Sequence, residues 1–224
     1  MPSTVLFAGS SGPLLTTLMN NAANSGETVA CADPGVNQPS WQSERLHLPW
    51  SPRSPLSARS LTTATVTASG SLDRAVLVTA PAPCAASLVD TGISDIERYL
   101  DEQLRSTVYL ARELLRHLSA ASPQNYEGPP AGSLIVAVAE PEESVGASMR
   151  SLVYGAVESF LSTLLDHYRE SGPAVFGFIG PDSEEQAQAY ATFIENECRE
   201  RPAKIRGRLQ RYGKRTALRS LFRS

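Results

Sequence analysis

Leu134-Ile135-Val136-Ala137-Val138-Ala139, then Ser148-Met149-Arg150-Ser151-Leu152-Val153-Tyr154-Gly155-Ala156-Val157-Glu158-Ser159-Phe160, then Ala174-Val175-Phe176-Gly177-Phe178-Ile179: the reading of these three stretches decides the fold. The first and third are short, unbroken apolar runs rich in β-branched residues, the pattern of strands buried on both faces. Between them Leu152, Val153, Val157, Phe160, Leu161, Leu164 and Leu165 recur at three- and four-residue spacing until Gly172-Pro173, which predicts a helix over 148–169. Together they form a βαβ unit, whose crossover is expected to be right-handed.

Toward the N-terminus the alternation of strand and helix repeats. Thr4-Val5-Leu6-Phe7-Ala8 reads as a first strand, runs into Gly9-Ser10-Ser11-Gly12-Pro13, and leads to helical spacing through Leu14, Leu15, Leu18 and Met19. A glycine turn between a strand and a helix start is how dinucleotide folds present backbone N–H groups to a pyrophosphate, although a tight turn without a ligand reads the same way. Thr28-Val29-Ala30-Cys31-Ala32 predicts a second strand ending in Asp33. An acid there, about 20 residues past the glycine turn, either binds a ribose hydroxyl or caps the turn at Pro34-Gly35.

Residues 34–55 hold five prolines, two tryptophans and no helical period, so a loop is expected where a second helix would stand. Within it Arg45-Leu46-His47-Leu48 predicts a short third strand whose histidine faces solvent. Residues 57–68 are small, threonine-rich and weakly helical, and Arg74-Ala75-Val76-Leu77-Val78 predicts a fourth strand. The longest helical pattern spans 93–118, with Ser94 or Asp95 as N-cap. Its stripe of Leu100, Leu104, Val108 and Leu115 can face the sheet, which leaves Tyr99, Tyr109 and Leu114, with Leu161 and Tyr168 on the later helix, for another surface. After Gly180-Pro181-Asp182, Ser183-Glu184-Glu185 reads as the cap and first turn of a last long helix.

The chain has 224 residues, 42% of them hydrophobic, enough for one well-buried α/β domain. That domain is expected over 1–213, followed by a basic tail over 214–224. Cys31, Cys84 and Cys198 lie too far apart for a disulfide framework or a metal-ligand spacing. The N-terminus lacks the basic and long apolar regions of an export or membrane segment, so a cytoplasmic protein is expected. From Arg199 onward ten basic residues face one acid, whereas ten bases face 22 acids before it. Such a stretch can contact nucleic acid or an acidic membrane. No aromatic ladder or nucleic-acid motif accompanies it, and charges on an edge strand or a tail docked on an acidic body explain it as well.

The βαβ unit resembles the catalytic half of the short-chain dehydrogenase/reductase family, which carries a serine, then Tyr-x-x-x-Lys on the helix, then a Pro-Gly turn. The resemblance covers nearly the whole chain in strand order and turn positions. It implies a Rossmann-like, doubly wound, mostly parallel sheet in three layers with strand order 3-2-1-4-5-6-7, and NAD(H) or NADP(H) as the cofactor if any is bound. Gly70-Ser71-Leu72-Asp73 is similar to the family's approach to its fourth strand, and residues 205–213 to its last strand.

The family's chemical positions are altered. Its first turn is Thr-Gly-x-x-x-Gly-x-Gly; here Gly9 is followed by Gly12 one position early and by leucine at the last glycine. Gly9, Ser10, Gly12 and Asp33 are the candidate cofactor residues. The family's Asn-Asn-Ala-Gly becomes Thr79-Ala80-Pro81-Ala82, and Leu104 falls at its active-site asparagine. The serine falls at Ala139 or Glu140, with Ser144 as a substitute on the next loop. Two registers align the tyrosine. In one, Tyr154 is the tyrosine and Glu158 stands at the lysine, where like charge would raise the phenol's pKa. In the other, which matches Ala156-Val157-Glu158-Ser159-Phe160 to the family's Ala-Val-Glu-Gly-Phe, Arg150 stands at the tyrosine and Tyr154 at the lysine. Both lose the pair that donates a proton during hydride transfer. Glu140, Glu142 and Glu143 cluster at the carboxyl edge of the sheet, as acids do at α/β sites and at helix starts.

The resemblance therefore implies a catalytically inactive subunit that assembles with, and stabilises or regulates, an active dehydrogenase/reductase. The contact, homo- or hetero-oligomeric, would run through helices 93–118 and 148–169, which pair between subunits in that family. The alternatives are an NAD(P)-dependent oxidoreductase with a rebuilt site, and a scaffold or nucleic-acid contact through the basic C-terminus.

Overall fold

The computed structural model describes residues 3–82, 88–121, 132–140, 148–181, 183–200 and 202–213. In chain order the elements are β1 (Thr4–Gly9), α1 (Pro13–Asn24), β2 (Thr28–Asp33), β3 (Ser40–Gln42), β4 (Arg45–Pro49), α2 (Pro55–Ser69) and β5 (Arg74–Thr79). They continue as α3 (Ile93–Leu100), a π-helical turn (Asp101–Arg105), α4 (Ser106–Ala121), β6 (Ser133–Glu140), α5 (Ser148–His167), β7 (Ala174–Pro181), α6 (Glu184–Glu200), α7 (Pro202–Ile205) and β8 (Leu209–Arg211).

Period-two alternation along the buried strands divides the core in two. Leu6, Ala75, Leu77, Leu134 and Val136 pack beneath α2, α4 and α5; Val5, Phe7, Val76, Val78 and Ile135 pack beneath α1 and α6 on the other face. The single sheet runs β3-β4-β2-β1-β5-β6-β7-β8, parallel throughout except where β3 meets β4. Without β3 this is the expected order 3-2-1-4-5-6-7, a Rossmann-like doubly wound sheet between two helical layers.

Several local expectations are corrected. The stretch 34–55 is not all loop around one strand: β3 folds back on β4 through Ser43 and Glu44, at φ 48° and 66°. Two consecutive positive φ values make a type I′-like hairpin, and because neither residue is Gly or Asn the sequence gives no turn signal. Residues 57–68 belong to a full helix of 15 residues. Ser54 Oγ caps it by accepting from Ser57 N–H, Pro55 opens it, and Gly70 ends it at φ 85°. Its threonines look unhelical but bond inward; Thr65 Oγ1 donates to the Leu61 carbonyl at 2.9 Å. Neither Ser94 nor Asp95 caps α3, since Gly92 holds the N-cap position without a side-chain bond.

The division of the long helices is also corrected. Leu114 and Leu161, expected to seek another surface, are fully buried beside Leu110, Leu118 and Val157, whereas Leu100, Leu104 and Val108 are only half-buried. For the helix over 93–118 the π-helical turn at Asp101–Arg105 explains the error. One extra residue in a turn rotates everything after it, so no single stripe runs from 93 to 118. At the C-terminal end, Ile205 closes α7 and Arg206-Gly207 form a turn, which shortens the expected last strand to Leu209–Arg211. Ser183 precedes α6 as expected, its carbonyl accepting from Gln186 and Ala187 N–H.

Candidate functional site

The parallel strands end together at one edge, which gathers the glycine turn after β1, Asp33, Thr79-Ala80-Pro81, Glu140 and Arg211. Gly9 closes β1 opposite Val78 with φ +114°, and a Cβ there would stand 1.9 Å from the Val78 carbonyl oxygen. Contact between the two central strands thus demands glycine before any ligand does. Ser10 is tied to the same strand: its N–H donates to Val78 O at 2.8 Å and its Oγ accepts from Ala80 N–H at 3.0 Å. Gly12 is extended, at φ 174°, and Pro13, which has no N–H, opens α1. Leu14 and Leu15 point into the core beneath α1.

Asp33 combines the turn cap with a second bond. Its Oδ1 accepts from Gly35 N–H at 2.7 Å, and its Oδ2 lies 2.9 Å from His47 Nδ1. A carboxylate only accepts, so Nδ1 carries the proton. His47 is accordingly no solvent-facing strand residue, but half-buried against Asp33. Donation from His47, then from Gly35, holds the Asp33 carboxyl below its ordinary 3.8.

The loop after β5 is held from two helices. Ala82 N–H donates to Gln103 Oε1 at 3.1 Å, and its carbonyl accepts from Tyr99 Oη at 2.6 Å. Gln103 lies in the π-helical turn, which also contains Leu104. Such turns recur at functional sites; here the distortion falls on the position aligned with the family's asparagine, and its product is a clamp on the loop. From α5, Arg150 Nε donates to the Pro81 carbonyl at 2.9 Å.

One turn along α5, Tyr154 and Glu158 face a different partner. Arg211, the last residue of β8, pairs with Glu158 through Nη2, while its Nη1 lies 3.5 Å from both Tyr154 Oη and Glu140 Oε1. Burial pushes the Tyr154 phenol above its ordinary 10.0. Donation from Arg211 pulls the other way, but Glu158 and Glu140 add to the rise. Behind them Tyr190 is fully buried, its ring over Gly180, where a Cβ would stand 2.6 Å away, and burial raises its phenol strongly as well.

Structure thus brings Tyr154, Glu158 and Glu140 together around Arg211, leads Arg150 to the loop after β5, and packs Leu104 half-buried against the core. Ala139 is buried within β6. Glu142, Glu143, Ser144, Cys84, Asp182 and the tail 214–224 lie outside the described residues. Sequence reasoning missed Arg211, Tyr190, Tyr99 and Gln103. Arg211 was legible in principle, as a residue near the end of the expected last strand over 205–213, yet it counts equally well toward the basic C-terminal stretch. Arg206, from the same stretch, donates to the Tyr168 and Gly172 carbonyls and so braces the turn before β7.

A dinucleotide needs donors for its pyrophosphate and acceptors for its ribose. At this edge Ser10 Oγ, both Asp33 oxygens, both backbone groups of Ala82 and Arg150 Nε are already bonded within the chain. Asp33 and Ser10 each keep further hydrogen-bonding capacity, so these internal bonds compete with a cofactor for the same groups. Among the described residues, no group of three or more His, Cys, Asp or Glu gathers to hold a metal, and no helix is long and apolar enough to cross a membrane.

No family model and no curated protein matches the sequence. Solved structures do match. A doubly substituted short-chain dehydrogenase/reductase from Serratia marcescens superposes with a TM-score of 0.73 at 14% identity, over 93% of this chain and 95% of that one. A 3-ketoacyl-(acyl-carrier-protein) reductase from Brucella melitensis, complexed with NADH, gives 0.74 at 11% identity over 94% and 96%. An oxidoreductase of the same family from Brucella ovis, with partially ordered NAD, gives 0.69 at 13% identity over 94% and 99%. At such identities the likeness is one of fold: the chain has the short-chain dehydrogenase/reductase fold along nearly its full described length.

Proposed function

We propose that this chain is a non-catalytic protein of short-chain dehydrogenase/reductase fold that acts by assembling with, and stabilising or regulating, an active dehydrogenase/reductase subunit. The observation that carries this reading is the Arg211 cluster. Proton donation to a carbonyl during hydride transfer needs a phenol made more acidic by an unopposed cation. Tyr154 has a cation beside it, but burial makes the phenol less acidic, and Glu158 and Glu140, which share that cation, add to the rise. The engaged turn after β1 supports the same reading from the cofactor side.

The assembly half rests on the outer faces of α4 and α5. Leu152 on α5 is 54% exposed, and Tyr109 on α4 and Phe160 on α5 are half-buried, packed in part against the protomer's own core. Burial of a Leu-sized side chain contributes about 1.5–3 kcal/mol, so a few such residues can hold two subunits together. Leu161 belongs to the protomer's own core, so Leu152→Glu is the informative change. Light scattering is expected to show an oligomer for the wild type and a lower mass for Leu152→Glu.

The proximity of Arg211 to Tyr154 favours one other reading, an NAD(P)-dependent oxidoreductase with a rebuilt tyrosine–arginine pair. Calorimetric titration with NAD(H) and NADP(H) separates the two: no saturable heat is expected, and clear binding would overturn the non-catalytic assignment. Tyr154→Phe in any active complex containing this chain is expected to leave turnover unchanged, whereas loss of a general acid costs about 100-fold or more.

A further inference from the structure

Residues of the basic stretch that begins at Arg199 fall into two groups. Arg211 pairs with Glu158, and Arg206 braces the turn before β7, its Nε donating to Tyr168 O at 3.2 Å and its Nη2 to Gly172 O at 3.0 Å. Lys204 and Arg208, by contrast, are exposed and make no ion pair among the described residues. With Arg206 they line a cavity of about 500 Å³ at the edge where β7 and β8 begin, and Arg169, from the segment after α5, adds a fourth cation. A single acid, Glu197 of α6, stands in the same lining, which therefore carries a formal excess of three positive charges.

Two of these cations are held in place by backbone. Arg169 lies across Gly207, where φ is +69° and a Cβ would stand 2.6 Å from Arg169 Cγ. Its Nη2 donates to Gly207 O at 3.2 Å and to Asp166 Oδ1 at 2.6 Å. A guanidinium has donors on all three nitrogens, so Nε and Nη1 of Arg169 and Nη1 of Arg206 keep theirs unused among the described residues. Side chains already fixed lose little freedom when they bind. Like charges gathered in one cavity repel, and an anion between them offsets that repulsion. The chain's own tail offers no acidic side chain for the purpose, since residues 214–224 contain neither Asp nor Glu.

We infer that this cavity binds a small phosphorylated molecule, its phosphoryl oxygens held by Lys204, Arg208 and the unused N–H groups of Arg169 and Arg206. A phosphate group concentrates about two negative charges on three acceptor oxygens and takes forked donation from guanidinium, whereas a carboxylate brings one charge. The volume suits a small molecule. A long polyanion would continue past the cavity over a chain in which ten bases face 22 acids before Arg199. The inference is independent of the proposed subunit role, because the cavity lies at the edge opposite the carboxyl ends of the strands.

The test is calorimetric titration of the full chain with pyrophosphate, with citrate as an anion of similar charge that carries no phosphate. Saturable binding of pyrophosphate is expected, at least about fivefold tighter than that of citrate and weakened by salt. Lys204→Gln with Arg208→Gln alters two exposed side chains and is expected to weaken pyrophosphate at least about tenfold. Arg53→Gln with Arg59→Gln lowers the net charge equally, at α2 beside β4 and far from β8, and is expected to change the affinity by less than about twofold. Heat from NAD(H) or NADP(H) that survives Lys204→Gln with Arg208→Gln belongs to the carboxyl edge, so this inference and the subunit reading fail separately. No saturable binding of pyrophosphate by the wild type, citrate bound as tightly, an unchanged affinity in the cavity variant, or an equal loss in the α2 variant would overturn the assignment. So would tighter binding of oligodeoxythymidine or of phosphatidylserine vesicles than of pyrophosphate.

Discussion

The two edges of the sheet treat their polar groups in opposite ways. Where the strands end, Ser10 ties β1 to the loop after β5, Asp33 ties β2 to β4, Gln103 and Arg150 hold the loop after β5 from the π-helical turn and α5, and Arg211 ties β8 to α5. Where the strands begin, four cations line an open cavity, and two of them, Lys204 and Arg208, have no ion-pair partner among the described residues. Open parallel sheets place ligands at the carboxyl edge because the loops diverge there at a switch in strand order. This chain keeps the switch, with β1 between β2 and β5, and the described side chains there are bonded within the chain. Topology offers a crevice; side chains decide whether it stays one.

The largest test of that contrast is Gly9→Ala. A Cβ in contact with Val78 O, at a φ that L-residues rarely adopt, is expected to cost about 3 kcal/mol or more, read as a lowered urea midpoint. A cost below about 1 kcal/mol would mean that the strands can relax and that the glycine serves something other than the sheet. Next is Arg211→Met. It leaves Glu140 and Glu158 without their shared cation at a half-buried site, and about 1–2 kcal/mol of stability is expected to be lost, less than for a fully buried pair. If stability instead rises, the cluster is strained and the carboxyl edge is less firmly closed than its bonds imply.

Asp33→Ala is expected to have the smallest effect, about 1 kcal/mol at neutral pH, since the carboxylate is partly exposed. Its pH dependence has a definite sign. The folded-state pKa lies below the ordinary 3.8, so the wild type gains stability from this group above that value and loses it as pH falls through the depressed one. Chemical unfolding of wild type and variant should therefore differ near neutral pH and converge in strong acid. A difference that stays constant down to about pH 2 would remove the charge from the explanation.

Most of the sheet was legible because its strands are apolar runs bounded by Gly, Pro and Asp, and a buried parallel strand can hardly be written otherwise. β3 was not, since a two-residue turn at Ser43-Glu44 carries no compositional mark. The faces of the long helix were misassigned because a π-helical turn adds a residue to the period without any residue type that announces it. At the candidate site, the substitutions at Leu104, Arg150 and Glu158 were visible as departures from a pattern. What those side chains do in its place was not visible: the Arg211 cluster joins residues separated by 53 positions or more, and pairing at that distance is a property of the folded chain.

That separation bears on the order in which the protein is made. Chains fold from the N-terminus as they emerge during synthesis, and β8 is the last described strand to appear, three residues long and paired only with β7. Until it arrives, Glu140 at the end of β6 and Glu158 on α5 lack the guanidinium that both approach in the finished fold. Arg211 brings that guanidinium in the same step that adds the strand, so the final strand carries with it the cation that the two carboxylates share. A ribosome-bound chain halted before Arg211 would then be the state most exposed to proteases, and salt, by screening the two carboxylates, would protect it.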